Sequence, residues 1–105
     1  MKKNIFKLSK PFTFEGETYT ELNLAALEDI TGQQLYNAER LYVKKGGVTV
    51  AMEYNLDFIF TLCSMALKKP IEFFYALPAT DAYHLKYRIT NFLEGGDIVE
   101  ESDEP

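Results

Sequence analysis

Tryptophan is missing from this 105-residue chain, and histidine and cysteine occur once each, as His84 and Cys63. A lone cysteine closes no internal disulfide, so the fold must stand on its hydrophobic core, and a reducing cytoplasm is the natural compartment. Metal sites at neutral pH gather several histidines, cysteines or carboxylates. His84 and Cys63 fall on different expected helices, and no metal or other cofactor is anticipated. His84 lies on the polar flank of its helix near Arg88 and reads as a surface residue, not a ligand or general base. Cys63 lies in an apolar stripe and reads as a buried, inert thiol, since a nucleophile would need a nearby base or cation. Met1-Lys-Lys-Asn-Ile-Phe begins like a signal peptide, but Lys7, Ser9, Lys10 and Pro11 interrupt any apolar run, which argues against export.

Catalytic constellations are equally scarce. The paired carboxylates Glu28/Asp29 precede a helix N-terminus, where negative charge is favourable in any case. Glu53/Asp57 form the polar edge of an apolar helix, with no partner acid or nucleophile. Gly46-Gly47 and Gly95-Gly96 follow helices instead of leading into them from a strand, so they read as caps and not as phosphate-cradling loops. Nothing here points to an enzyme.

Charge is unevenly placed. Residues 94–105 hold six acids (Glu94, Asp97, Glu100, Glu101, Asp103, Glu104) and no base, leaving ten acids against 11 bases in residues 1–93. A net acidic protein repels phosphate backbones, so nucleic acid is not an expected partner. Lys2, Lys3, Lys7 and Lys10 read as a solvated start or a lysine-guarded edge strand, not as a phosphate-binding arm. The tail, 95–105, is expected to be disordered, because it has few apolar residues and repels itself.

The hydrophobic share of 47% is ordinary for a globular protein. The expected class is α+β and mainly helical: one domain over 1–94, with an N-terminal β-hairpin (4–24) packed on three main helices (31–45, 50–68, 80–94) and a short one (71–77). Ile5-Phe-Lys-Leu and Phe12-Thr-Phe-Glu are alternating segments separated by Pro11, which lacks the N–H of a central strand. Gly16 permits the reversal and Thr18-Tyr-Thr-Glu-Leu supplies the return strand. Turns centred on Glu15–Gly16 or on Gly16–Glu17 would set Tyr19 opposite different phenylalanines. Thr31-Gly-Gln-Gln is a capping box, with Ile30 and Leu35 spaced as a hydrophobic staple. Leu35, Ala38, Leu41 and Tyr42 form the stripe of that helix, and Lys44-Lys-Gly-Gly closes it. Thr49 is the expected cap of the second helix, Pro70 opens the short one, and Thr80 or Asp81 caps the last. The core is expected to include Leu35, Ala38, Leu56, Ile59, Cys63, Leu85, Ile89 and Phe92.

The second helix carries more than one apolar stripe: Met52, Leu56, Ile59, Cys63 and Ala66 on one side, Tyr54, Phe58, Leu62 and Met65 on another. Glu53, Asp57 and a length under about 18 apolar residues argue against a membrane span. Such a helix is either the centre of the domain or a surface that a partner completes. Eight phenylalanines and seven tyrosines accompany it, and tyrosine suits binding surfaces as well as the rim of a small core. Tyr54, Phe58, Leu62 and Met65 are the candidate partner-binding residues.

The hairpin phrase Phe14-Glu-Gly-Glu-Thr-Tyr, then Ile30-Thr-Gly-Gln-Gln-Leu with Ala38-Glu-Arg, then Leu77-Pro-Ala-Thr-Asp, together resemble the tail assembly chaperones of tailed bacteriophages. Ile30 stands where leucine is more usual, and the acidic tail is no part of the likeness. The resemblance implies a non-enzymatic protein of the infected or lysogenic bacterial cytoplasm, without catalytic residues. It implies binding to the tape measure protein, recruitment of tail tube protein, and self-association, without retention in the virion. Exposed apolar stripes on a long tape measure helix would aggregate unless covered. The alternative is a small structural tail component or adaptor that stays in its complex.

Overall fold

Two consecutive residues of positive φ, Glu15 at 51° and Gly16 at 84°, turn the N-terminal segment back on itself in the computed structural model, which describes residues 4–95. Two-residue turns of this hand match the twist of a hairpin. Strand β1 (Ile5–Phe14) pairs antiparallel with β2 (Glu17–Asn23), with Phe12 opposite Tyr19 and Phe14 opposite Glu17. The turn is therefore centred on Glu15–Gly16. Pro11 does not divide β1, but pairing is irregular between Lys7 and Phe12.

Among the described residues five helices and a 3-10 turn follow: α1 (Ala25–Glu28), α2 (Gly32–Lys44), the turn Met52–Tyr54, α3 (Leu56–Leu67), α4 (Ile71–Tyr75) and α5 (Ala79–Leu93). The α+β arrangement of a hairpin on a small helical bundle is thus as expected, with α1 as an addition. Asn23 Oδ1 accepts the Ala25 N–H at 2.9 Å, and Leu24 and Leu27 are fully buried. At the start of α2 the capping box forms: Thr31 Oγ1 accepts the Gln34 N–H, and Gln34 Oε1 accepts the Thr31 N–H.

The second main helix begins later than expected. Asn55, not Thr49, is its cap, accepting from the N–H groups of Asp57 and Phe58 at 2.8 and 3.2 Å. The β-branched run Val48-Thr-Val is costly in a helix, and an asparagine that satisfies two orphan donors competes well against it. Met52–Tyr54 makes only the 3-10 turn. The last helix also differs: Pro78 occupies its cap position without a side-chain bond, and Asp81 is directed elsewhere.

Helix α3 is central. Its residues Phe58 to Cys63 are all buried, and it packs against α1, α2, α4, α5 and the 3-10 turn. Ala38, Ile59, Cys63, Leu85 and Ile89 are core residues as expected, and Leu35 and Phe92 pack at its edge. Leu56 is not core: with the helix starting at residue 56, it sits in the first turn and is 43% exposed.

The hairpin is held onto this bundle at both ends. Phe12, Phe14 and Tyr19 meet the ring of Phe73 edge-on, with centroids 5.3, 5.3 and 5.0 Å away, geometries that aromatic quadrupoles favour. At the other end Phe6 and Leu22 are buried, and Arg88 donates to the Ile5 carbonyl at 2.8 Å. Among the described residues, no helix is long and apolar enough to cross a membrane. The expectation for the tail, apart from Gly95, lies outside the described residues.

Candidate interaction surface

Cys63 is fully buried, and removal from water pushes its thiol up to about 12. A thiol in that state is neither a nucleophile nor a ligand near neutral pH. His84 is exposed, beside Tyr83. Among the described residues no cluster of three or more His, Cys, Asp or Glu side chains is placed to hold a metal ion.

The four candidate residues separate in space. Phe58 and Leu62 are each 1% exposed, and Phe58 packs edge-on against the ring of Tyr42 at 5.6 Å. They belong to the core, because α3 is enclosed by other elements on this side. Tyr54 and Met65 are exposed, at 51% and 41%. Tyr54 stands on the 3-10 turn, not on the helix, and its hydroxyl donates to the Glu94 carboxylate. That hydrogen bond raises the tyrosine's pKa, helped by the charge of Glu94. It lines a small cleft with Lys86, Tyr87 and Asn91 of α5. Met65 faces a different depression.

Met65 completes an open groove along the outer side of α2, lined by Tyr36, Arg40, Leu41, Val43 and Lys44. Tyr36, Arg40 and Val43 follow one another at helical spacing, and Asn37, Leu41 and Lys44 form the adjacent row. Leu41 and Val43 are 42% and 43% exposed. Leu41 was expected inside, but Ala38 and Tyr42 fill that side of α2, leaving Leu41 outward. A second recess, lined by Ile30, Gln34, Leu62 and Ala66, has Asn37 and Met65 in common with the first.

Charge frames this apolar strip. Arg40 lies over the Tyr36 ring, 5.8 Å from its centroid. Lys45, one residue beyond the strip, bonds Asp57 and Thr61 at 3.2 Å each. Among the described residues neither Arg40 nor Lys44 has a carboxylate partner. Glu39 is the acid in the lining.

Of the helical tyrosines only Tyr42 is core; Tyr36, Tyr54, Tyr75, Tyr83 and Tyr87 are exposed. The sequence signal for the groove was present in the two-sided apolar pattern of α2, where Leu41 and Val43 diverge from the Ala38/Tyr42 line. The arrangement sets exposed apolar side chains beside flanking charge. Comparison of the chain with protein-family models, curated proteins and solved structures finds no match.

Proposed function

We propose that this protein is a phage or prophage tail assembly chaperone that acts by binding, not by catalysis. It covers apolar stripes of the tape measure protein in the bacterial cytoplasm, several copies along one helix, and thereby aids assembly of tail tube protein. The observation that carries the reading is the open surface of Tyr36, Leu41, Val43 and Met65, where apolar side chains of two helices lie exposed together on a small domain. A helix laid in such a groove buries its side chains at matching spacing, while tyrosine and arginine supply rim contacts. The motif resemblance supplies the biological setting.

Co-expression with the long helical tape measure protein, followed by affinity capture, tests this. The wild-type chain should be recovered with it, and Leu41→Asp or Met65→Asp should lower recovery at least about tenfold, some 1.4 kcal/mol of binding. Tyr87→Asp, in the separate α5 cleft, should not. Unchanged circular dichroism and melting temperature would show that the losses reflect binding. Full recovery of both groove variants would reject the groove as the site. Stoichiometric retention in purified virions would instead make the protein a structural tail component.

A further inference from the structure

Helix α5 and the 3-10 turn form a cleft of about 130 Å³, lined by Tyr54, Lys86, Tyr87, Thr90, Asn91 and Glu94. It has the volume of roughly four waters, at about 30 Å³ each, and shares no lining residue with the groove along α2. Its walls are tied together. Thr90, 5% exposed, donates its hydroxyl to the Glu53 carbonyl and so holds the turn against the helix. The Tyr54 hydroxyl donates to Glu94 Oε2 and holds that carboxylate in place. Tyr87, Asn91 and Glu94 succeed one another on α5 at helical spacing, with Tyr87 69% exposed. Lys86 is the cation of the lining, but its ammonium lies over the Tyr83 ring, 5.1 Å from the centroid.

The cleft therefore combines two phenol rings, whose faces are electronegative, with a carboxylate and an amide. Glu94, first by its hydrogen bond and then by its charge, raises the Tyr54 pKa, and burial and the charge of Glu53 add to the effect. A cation suits such surroundings. A guanidinium stacks on a ring by its plane and forks onto carboxylate oxygens by its edge, which a compact ammonium cannot do. We propose that the cleft takes the guanidinium of an arginine side chain on a protein partner. Tyr54 and Tyr87 meet its faces, and Glu94 and the Asn91 side-chain carbonyl accept from its N–H groups. The site stands apart from the function proposed above, which uses the other surface.

Nα-acetyl-arginine amide, titrated into the isotope-labelled full chain at constant ionic strength, is the probe. It should shift the amide signals of Tyr54, Tyr87, Asn91 and Glu94 saturably. Nα-acetyl-citrulline amide, which has nearly the same shape without the charge, should not, and Nα-acetyl-lysine amide should bind more weakly. Tyr87→Ala should weaken arginine binding about two- to fivefold, the worth of one exposed cation–π contact. Glu94→Gln should weaken it at least as much, because it removes the charged acceptor. Both side chains are exposed, so circular dichroism should match the parent; the citrulline comparison on the unaltered protein decides the matter even if a variant folds poorly. Equal shifts from citrulline, lysine binding as tight as arginine, or shifts spread over the whole surface would overturn the proposal. So would undiminished binding by folded forms of both variants.

Free arginine separates the two sources of a guanidinium. A partner's side chain arrives with its backbone in peptide linkage, so the capped probe should bind at least as tightly as the free amino acid. Tighter binding of free arginine would assign the cleft to a small-molecule cation and overturn the protein partner. Leu41→Asp, in the other surface, should leave arginine binding unchanged. Its loss in a folded Leu41→Asp protein would move the probe to the groove and overturn the assignment. Failure to capture the tape measure protein while arginine binding persists would count against the proposed function alone.

Discussion

Asp81, 2% exposed, receives both the backbone N–H and the hydroxyl of Ser9, 72 residues away, at 3.0–3.2 Å. This carboxylate stands in the first turn of α5, yet it spends its oxygens on the irregular stretch of β1 where pairing with β2 lapses. The bond therefore does two things: it satisfies a strand N–H that the ladder leaves over, and it ties the hairpin to the bundle. A two-stranded hairpin is marginal unless held this way.

Asp81→Ala should therefore cost about 2–3 kcal/mol, since it strands a part-buried donor as well as removing a charged acceptor. Asp81→Asn, which keeps one acceptor oxygen, should cost clearly less. Urea unfolding gives both values, and hydrogen exchange should show β1 amides opening faster in the alanine variant. A loss within about 0.5 kcal/mol for Asp81→Ala would place the tether elsewhere.

Gly47 meets the ring of Tyr42 so closely that an added Cβ would lie 2.3–2.6 Å from three ring carbons. The ring has no room to retreat, being 2% exposed and packed on Phe58. Gly47→Ala should thus destabilise by about 1–3 kcal/mol, the usual cost of overpacking. Gly46→Ala is a different case, strained by a φ of 103° in open space. Pairing each with Tyr42→Leu separates the mechanisms: the smaller side chain should rescue Gly47→Ala and leave Gly46→Ala unrelieved.

Local signals were legible and distant ones were not. Thr31 and Gln34 specify their capping box across three residues, so the sequence alone placed the start of α2. The helical class and the core positions Ile59, Cys63, Leu85 and Ile89 followed from periodicity. Asp81 looked like a helix cap because its partner, Ser9, is visible only once the fold brings them together. The sequence reading placed the cap of the second helix at Thr49, because apolar residues reach back to Met52, whereas Asn55 makes the cap. The stripe Tyr54/Phe58/Leu62/Met65 is continuous in sequence but split by packing, since α2 covers its middle and leaves its ends. The groove escaped notice because Leu41 fits an inward helical position as well as an outward one.

Tyr75 links α4 to α3 through its hydroxyl, which donates to the Asp57 carboxylate. Partial burial first, then that hydrogen bond and the charges of Asp57 and Glu72, raise its pKa from 10.0 to about 12. A folded-state value above the unfolded one means stability that is complete below pH 10 and lost as pH rises toward about 12. Ultraviolet titration should show a tyrosine ionising late, absent from Tyr75→Phe. Over the same window Tyr75→Phe should lose less stability than the parent, a small difference because the ring is half exposed. Identical pH dependence in the two proteins would show that Tyr75 titrates as an ordinary surface phenol.

The divided stripe gives the sharpest contrast between folding and binding. Phe58 and Leu62 are enclosed, so Phe58→Ala and Leu62→Ala each leave a cavity and should cost about 3–5 and 2–5 kcal/mol respectively. Met65→Ala removes a side chain already 41% exposed and should cost about 1 kcal/mol or less, mostly as lost contact with Ala66 and α2. Tyr54→Phe loses only the bond to Glu94, made at an exposed hydroxyl, and should leave the urea midpoint close to that of the parent. Urea midpoints rank the four, and affinity capture ranks them again. On the structure the two orders must differ: the core pair unfolds the protein, Met65 weakens the groove in a folded one, and Tyr54 does neither. A Met65→Ala protein that melts as early as Leu62→Ala would return Met65 to the core and take the floor out of the groove.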